Sequence, residues 1–93
     1  MAAEKIDVLK AEVKVLNKHG LHMRSCGDLT RLAMGFTSTI KLTNGQRTAE
    51  AKSMLGLATL AAGPGCMLKV SVSGEDASAA LAAVIDYFAH DTE

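Results

Sequence analysis

The sequence predicts an α+β fold in two layers, in which a four-stranded antiparallel sheet is covered by three helices on one face. Two patterns lead to this prediction: polar and apolar residues alternate in four short segments, and apolar residues recur at helical spacing in three others. Only one face of each alternating segment is apolar, which is typical of a sheet with one face in solvent. The 93 residues suffice for one core, so we expect a single domain over 1–93 with its core at about 9–89.

The four alternating segments predict the strands of this sheet. They lie at 9–16, 38–42, 47–51 and 68–73, and with the helices they give the order β-α-β-β-α-β-α. Asn44 and Gly45 stand between the second and third strands, and this dipeptide favours the positive φ angles of a tight turn. The second and third strands are therefore expected to form a hairpin.

Each predicted helix has an apolar stripe or a start signal. The first is expected at about 24–35, where apolar residues stand three and four positions apart. Ser53 precedes a short apolar run and is expected to cap the second helix, which should end at 62–65. Glu75 and Asp76 open the last helix, where carboxylates oppose the positive end of the helix dipole.

Composition argues against several classes of partner. Ten basic and ten acidic residues cancel, so no net charge attracts nucleic acid or an anionic membrane surface. Aromatic residues make up only 3% of the chain, too few for a base-stacking surface. The first residues lack the apolar run of a secretory signal, and two cysteines do not form a disulfide framework. We expect a cytoplasmic monomer without nucleic-acid or membrane partners.

The segment from Gly20 to Ser25, between the first strand and the first helix, contains the candidate functional residues. His22 stands beside the unpaired backbone N–H groups of a helix start, which favour a neutral imidazole with a nucleophilic nitrogen. A phosphoryl group on that nitrogen would be held by Arg24 and by the backbone N–H groups of Ser25 and Cys26. Taken alone, a histidine at a helix start also fits a surface or capping role. No metal-ligand spacing is visible, and no cofactor is expected.

The wider pattern distinguishes between these interpretations. Gly-Leu-His-x-Arg at 20–24 is followed by Gly-Phe-Thr-Ser at 35–38, Ala-Lys-Ser at 51–53 and Val-Ser-Gly-Glu-Asp at 72–76. From about 13 to 88 the chain resembles the HPr family, the histidine phosphocarriers of the bacterial phosphoenolpyruvate-dependent sugar phosphotransferase system. The resemblance implies an open-faced sandwich with the sheet order 1-4-2-3.

The resemblance also implies a function for named residues. His22 would be phosphorylated on Nδ1 by phosphorylated enzyme I, with Arg24 helping to hold the phosphoryl group, and an EIIA-type domain would accept it. The protein would thus be a substrate of other enzymes and not an enzyme itself. Ser53 falls where many members carry a regulatory serine, the target of an HPr kinase/phosphorylase. Met54 and Leu55 match the exposed apolar residues through which the family docks its partners.

The chain departs from the family pattern around the histidine. Ser25 stands where members usually have proline, and Met23 stands where a small alanine is usual. Asp28 lies one turn after Arg24, so we expect an i,i+4 ion pair that competes with phosphate and restrains transfer. Cys26 continues the apolar stripe of the helix, which favours a buried, unreactive thiol.

Two alternatives to a sugar-transport role remain open. In the first, the protein is a regulatory binding module whose docking depends on the phosphorylation state of Ser53 or His22. In the second, it serves a nitrogen-related branch of the same relay, with a different enzyme I and EIIA partner.

Overall fold

The computed structural model describes residues 8–92, and the expectation about the first residues of the chain lies outside this range. Within it, four strands and three helices follow one another in the predicted order. They are β1 (Val8–Lys14), α1 (Met23–Ala33), β2 (Thr39–Asn44), β3 (Arg47–Glu50), α2 (Met54–Ala58), β4 (Met67–Ser73) and α3 (Ala77–His90). The second helix is shorter than expected, since it ends at Ala58 and not at 62–65.

The four strands form one antiparallel sheet in the order β1-β4-β2-β3, as the family resemblance implies. The central strand β4 has a partner on each side. Its Val72 is opposite Leu9 on β1 and Ile40 on β2. Because side chains that are opposite each other share a face, this register groups the apolar residues of three strands on one side of the sheet.

The helices pack on that apolar side. Leu29 of α1, Leu57 of α2 and Val84 of α3 are buried in the same cluster as the inward residues of the strands. Burying one such side chain contributes roughly 1.5–3 kcal/mol, so the apolar stripes hold the helices in place. Lys41 and Lys69 project from the opposite, exposed face, in agreement with the predicted two-layer arrangement.

The hairpin between β2 and β3 differs from its prediction in one detail. Asn44 does not adopt a positive φ; it is the last residue of β2 and pairs with Arg47, while Gly45 has a φ of 64°. The side chain of Asn44 donates to the carbonyl of Leu60 at 2.7 Å and accepts from Cys66 Sγ at 3.2 Å. These two contacts hold Asn44 in the strand, so the turn depends on glycine alone.

The start of α3 is fastened to the loop that precedes β2. The carboxylate of Asp76 accepts hydrogen bonds from the backbone N–H groups of Thr37 and Ser38 and from the Ser38 hydroxyl. The Ser38 hydroxyl and the Thr37 amide lower the pKa of Asp76 to about 2. Asp76 therefore joins two segments, beyond the helix-dipole role expected for it.

Candidate functional site

The backbone enters the site through a turn that only glycine fits. Gly20 has a φ of 72°, and a Cβ on it would lie 2.6 Å from the carbonyl oxygen of Ala62. The next residue, Leu21, donates its N–H to that same oxygen at 2.8 Å. The loop after α2 thus supports the segment that positions His22.

His22 is the N-cap residue of α1, with extended backbone angles and no capping hydrogen bond from its side chain. Its carbonyl accepts the N–H of Cys26 at 2.8 Å, which closes the first helical turn. The N–H groups of Met23, Arg24 and Ser25 lie before that bond and have no acceptor within the helix. That the Ser25 N–H holds a phosphoryl group therefore remains a prediction. The same expectation for the Cys26 N–H is wrong, because that donor already bonds the carbonyl of His22 within the helix.

The imidazole of His22 is half-buried, and its neighbours lie on one side of the ring. Nε2 is 3.2 Å from the hydroxyl oxygen of Ser25 and 3.5 Å from Nδ2 of Asn17. Within residues 8–92, no hydrogen bond reaches Nδ1. The ring of His19 stands edge-on at a centroid distance of 6.2 Å. Nδ1 is thus the ring nitrogen that remains available for chemistry.

Charged residues around His22 are arranged differently from the expectation. Asp28 does not pair with Arg24: its Oδ1 lies 3.3 Å from a guanidinium nitrogen of Arg31, and its Oδ2 accepts from the Tyr87 hydroxyl at 3.5 Å. In the part of the chain that the structure describes, Arg24 forms no ion pair and is exposed. The predicted competition is wrong in this arrangement, because Asp28 is turned toward Arg31 and α3.

Cys26 has the buried thiol that was predicted. Its side chain is fully buried in the core, and desolvation raises the pKa of the thiol. A raised pKa leaves little thiolate at neutral pH, so this cysteine contributes packing and not reactivity.

The C-terminal end of α3 forms a second wall that the sequence did not reveal. A cleft of about 660 Å³ lies between it and the start of α1, and Tyr87 and Asp91 line the far side. The buried Asn17 connects the walls, since its Nδ2 donates to Asp91 Oδ1 at 3.0 Å and its Oδ1 accepts the His19 N–H at 2.8 Å. No motif in the sequence links Asn17 to a residue 74 positions away, so this contact is visible only in the structure.

The predicted regulatory and docking residues lie at the start of α2. Ser53 caps this helix, its hydroxyl accepting the N–H of Gly56 at 3.0 Å, as expected. Leu55 is 75% exposed and Met54 is also exposed. A Cβ on Gly27 would lie 3.8 Å from the sulfur of Met54, so the start of α2 adjoins the outer face of α1. The structure brings these residues onto the same side of the molecule as the helix that begins at His22.

Comparison with known proteins identifies the family. Residues 9–90 match the family model for the PTS HPr component phosphorylation site. The phosphocarrier protein HPr of Cupriavidus necator is 35% identical over 83 residues, covering 89% of this chain and 93% of that protein. The protein is therefore a small carrier with this fold. The chain belongs to the HPr family of phosphocarrier proteins.

Two further relatives extend this result. The phosphocarrier protein NPr of Shewanella violacea is 40% identical over 76 residues, covering 82% of this chain and 84% of that protein. The crystal structure of HPr-C-His from Thermoanaerobacter tengcongensis superimposes with a TM-score of 0.85 at 27% identity, covering 90% of this chain and 94% of that chain. Among residues 8–92, no helix is long and apolar enough to cross a membrane.

Proposed function

We propose that this protein accepts a phosphoryl group on Nδ1 of His22 from phosphorylated enzyme I and passes it to an EIIA-type domain. The observation that carries the proposal is the helix start itself, where His22 presents Nδ1 while Ser25 lies beside the other ring nitrogen. In the transfer, the phosphorus–nitrogen bond of the donor breaks as the bond to Nδ1 forms. The protein is thus a substrate of both reactions and not the enzyme that catalyses them.

The electrostatics of the helix start support this role. A helix N-terminus carries roughly half a positive elementary charge, and its free N–H groups point toward an anion placed there. The amides of Met23, Arg24 and Ser25 precede the first helical hydrogen bond. The exposed Arg24 guanidinium supplies a full positive charge in the same cleft. These groups would offset the negative charge of a phosphoryl group, and they would disfavour a protonated imidazole.

The apolar surface around the site supports a protein partner. Met23, which follows His22 in the chain, is 54% exposed, and Leu55 of the adjoining helix α2 is 75% exposed. We propose that a partner docked at His22 covers both. A partner that buries such side chains gains roughly 25 cal/mol for each Å² of apolar area removed from water. The proposal includes that the carrier is a cytoplasmic monomer and that residues 1–93 form one domain.

Phosphorylation with enzyme I tests the proposal directly. The protein is incubated with enzyme I and labelled phosphoenolpyruvate, and the label is then exposed to acid, which hydrolyses phosphohistidine but leaves phosphoserine intact. We expect an acid-labile label that is absent from His22→Ala and unchanged in His19→Ala and His90→Ala, two histidines that line the same cleft. Label retained by His22→Ala would overturn the proposal.

We further propose that phosphorylation of Ser53 by an HPr kinase/phosphorylase weakens docking. Ser53 is exposed and precedes Met54 and Leu55, so a negative charge there faces the same partner surface. Ser53→Asp and Ser53→Asn provide a matched pair, because Asp and Asn cap helices equally well and differ in charge. We expect Ser53→Asp to slow phosphorylation by enzyme I while Ser53→Asn does not. Equal rates for the two variants would exclude regulation through charge at this position.

The relative named NPr supports a second candidate, a nitrogen-related branch of the relay. The same phosphorylation assay, run in parallel with the sugar-branch enzyme I and the nitrogen-branch enzyme I, distinguishes the two candidates. Faster phosphorylation by the nitrogen-branch enzyme would assign the protein to that branch.

A further inference from the structure

Ser25 is placed to control which nitrogen of His22 carries the proton. Its side chain is 1% exposed, and its hydroxyl oxygen lies 3.2 Å from Nε2. A hydroxyl can both donate and accept a hydrogen bond, so by itself this contact is compatible with either neutral tautomer. The proton's position therefore depends on what else the Ser25 hydroxyl and Nε2 contact.

The phenol of Tyr87, on the opposite wall of the cleft that Ser25 lines, is the other hydroxyl near Ser25. Burial and the negative charge of Asp91 raise the pKa of Tyr87 to about 12, and the nearby Ser25 hydroxyl opposes that rise. The phenol is thus protonated at neutral pH, and it donates toward Oδ2 of Asp28 at 3.5 Å. Because the phenolic hydrogen points to a carboxylate, the phenolic oxygen is free to accept the hydrogen of Ser25.

The competing group at Nε2 is the amide of Asn17. An amide NH₂ only donates, so Asn17 would favour a lone pair on Nε2 and a hydrogen on Nδ1, the unreactive tautomer. However, Asn17 lies 3.5 Å from Nε2 and donates to the Asp91 carboxylate at the shorter distance of 3.0 Å. The second amide hydrogen of Asn17 would reach Nε2 only across 3.5 Å, beyond the usual range of an N–H hydrogen bond, so this contact is weak. The closer contact at Nε2 is that of Ser25.

We propose that Ser25 is a positioning residue for phosphoryl transfer: its oxygen accepts the Nε2–H of His22 and so leaves the lone pair on Nδ1, while Tyr87 and Asp28 orient the Ser25 hydroxyl. This inference rests on the proposed function of His22. No proton moves in the step: the Nδ1 lone pair bonds to phosphorus, the donor's phosphorus–nitrogen bond breaks, and Nε2 keeps its hydrogen. The ring then bears more positive charge, so its hydrogen bond to Ser25 strengthens in the product.

The tautomer can be measured without any transfer reaction. In ¹⁵N NMR spectra of the free protein, a ring nitrogen that bears hydrogen is separated from one that bears a lone pair. We expect His22 in the wild type to carry its hydrogen on Nε2 and Ser25→Ala to shift population toward Nδ1–H. Tyr87→Phe, which removes only the phenolic oxygen, should shift it in the same direction by less. Ser78→Ala, an exposed serine of α3, is the matched control.

The rate of phosphorylation by enzyme I provides the second measurement. We expect Ser25→Ala to be roughly three- to tenfold slower than the wild type, the size that follows from losing one neutral hydrogen bond. Tyr87→Phe should fall between Ser25→Ala and the control. Asp28→Asn should be closest to the wild type, since its contact with Tyr87 is long.

The outcomes separate this inference from the proposed function. A wild-type ring with its hydrogen on Nδ1, or a tautomer that Ser25→Ala leaves unchanged, overturns the role of Ser25 even if His22 is phosphorylated. If the tautomer depends on Ser25 but no label reaches His22, the function proposed above fails while Ser25 still controls the ring.

Discussion

The starts of α1 and α2 are adjacent on the surface, but they differ in whether a side chain caps the unpaired backbone N–H groups of the helix. At α2, the hydroxyl of Ser53 accepts the N–H of Gly56, so the cap is made. At α1, His22 occupies the equivalent N-cap position, and its side chain makes no capping bond. One helix start is closed by its own side chain, and the other leaves its amides open to an anion. Stability is favoured at Ser53 and chemistry at His22.

The lengths and packing of the two helices explain why each can have its own arrangement. Helix α2 has only five residues, of which Leu57 alone is buried, and so short a helix is marginal without a cap. Helix α1 has 11 residues and buries Cys26, Leu29 and Ala33. The packing of α1 therefore offsets a missing cap, which costs about 0.5–2 kcal/mol in typical helices.

The largest effect is expected from giving α1 a side chain that caps it, as Ser53 caps α2. His22→Asn should abolish phosphorylation and raise the free energy of unfolding by about 0.5–1 kcal/mol, because asparagine is among the best N-cap residues. Urea denaturation measures the stability and labelling with enzyme I measures the transfer. His19→Asn, at an exposed position outside the helix, is the control and should change neither. A His22→Asn protein less stable than the wild type would show that the histidine stabilises α1 by other contacts.

A smaller effect is expected from removing the cation beside the open helix start. Arg24→Ala should lower the phosphorylation equilibrium of His22 about fivefold, which corresponds to ~1 kcal/mol for an exposed charge-assisted contact. Its stability should change little, since Arg24 forms no ion pair within residues 8–92. Arg31→Ala, an exposed arginine of the same helix, is the matched control. An equal loss in both variants would mean that net charge matters and the position of Arg24 does not.

Breaking the cap of α2 should affect stability alone. Ser53→Ala is expected to lower the free energy of unfolding by about 1 kcal/mol. For a domain of this size that corresponds to a fall in Tm of roughly 4–8 °C, which calorimetry can measure. The phosphorylation equilibrium of His22 should remain at the wild-type value. Ser53→Asn, which keeps the cap, should recover most of the lost stability.

The smallest effect is expected at the start of α3, where the free energy of unfolding should depend on pH. Hydrogen bonds from Ser38 and Thr37 lower the pKa of Asp76 to about 2, from its ordinary value of 3.8. The ionised carboxylate is thus favoured in the folded state, so its contribution is complete above about pH 4 and is lost as the pH falls through 2. Urea denaturation between pH 2 and 6 should show this dependence in the wild type and a weaker one in Asp76→Asn. Identical profiles would remove Asp76 from the causes of acid sensitivity.

Local patterns were sufficient for most of the fold. Strand and helix positions follow from apolar spacing, which is a property of neighbouring residues. The capping role of Ser53 followed in the same way, because an N-cap depends on the few residues after it. The turn prediction failed at Asn44, where contacts from Leu60 and Cys66 outweigh the local preference. The sheet order came from the family resemblance and not from periodicity.

The same distinction between local patterns and long-range contacts holds for the candidate site. The sequence by itself determined that His22 stands at a helix start, with Arg24 and Ser25 in the turn that follows. Only the tertiary structure decided that Asp28 turns away from Arg24 and that Tyr87 and Asp91 form the second wall of the cleft. The contact between Asp28 and Tyr87 joins segments 59 positions apart. Hydrogen bonds between distant segments form only after packing of the helices on the sheet has brought them together. The composition of one segment therefore contains no signal for them.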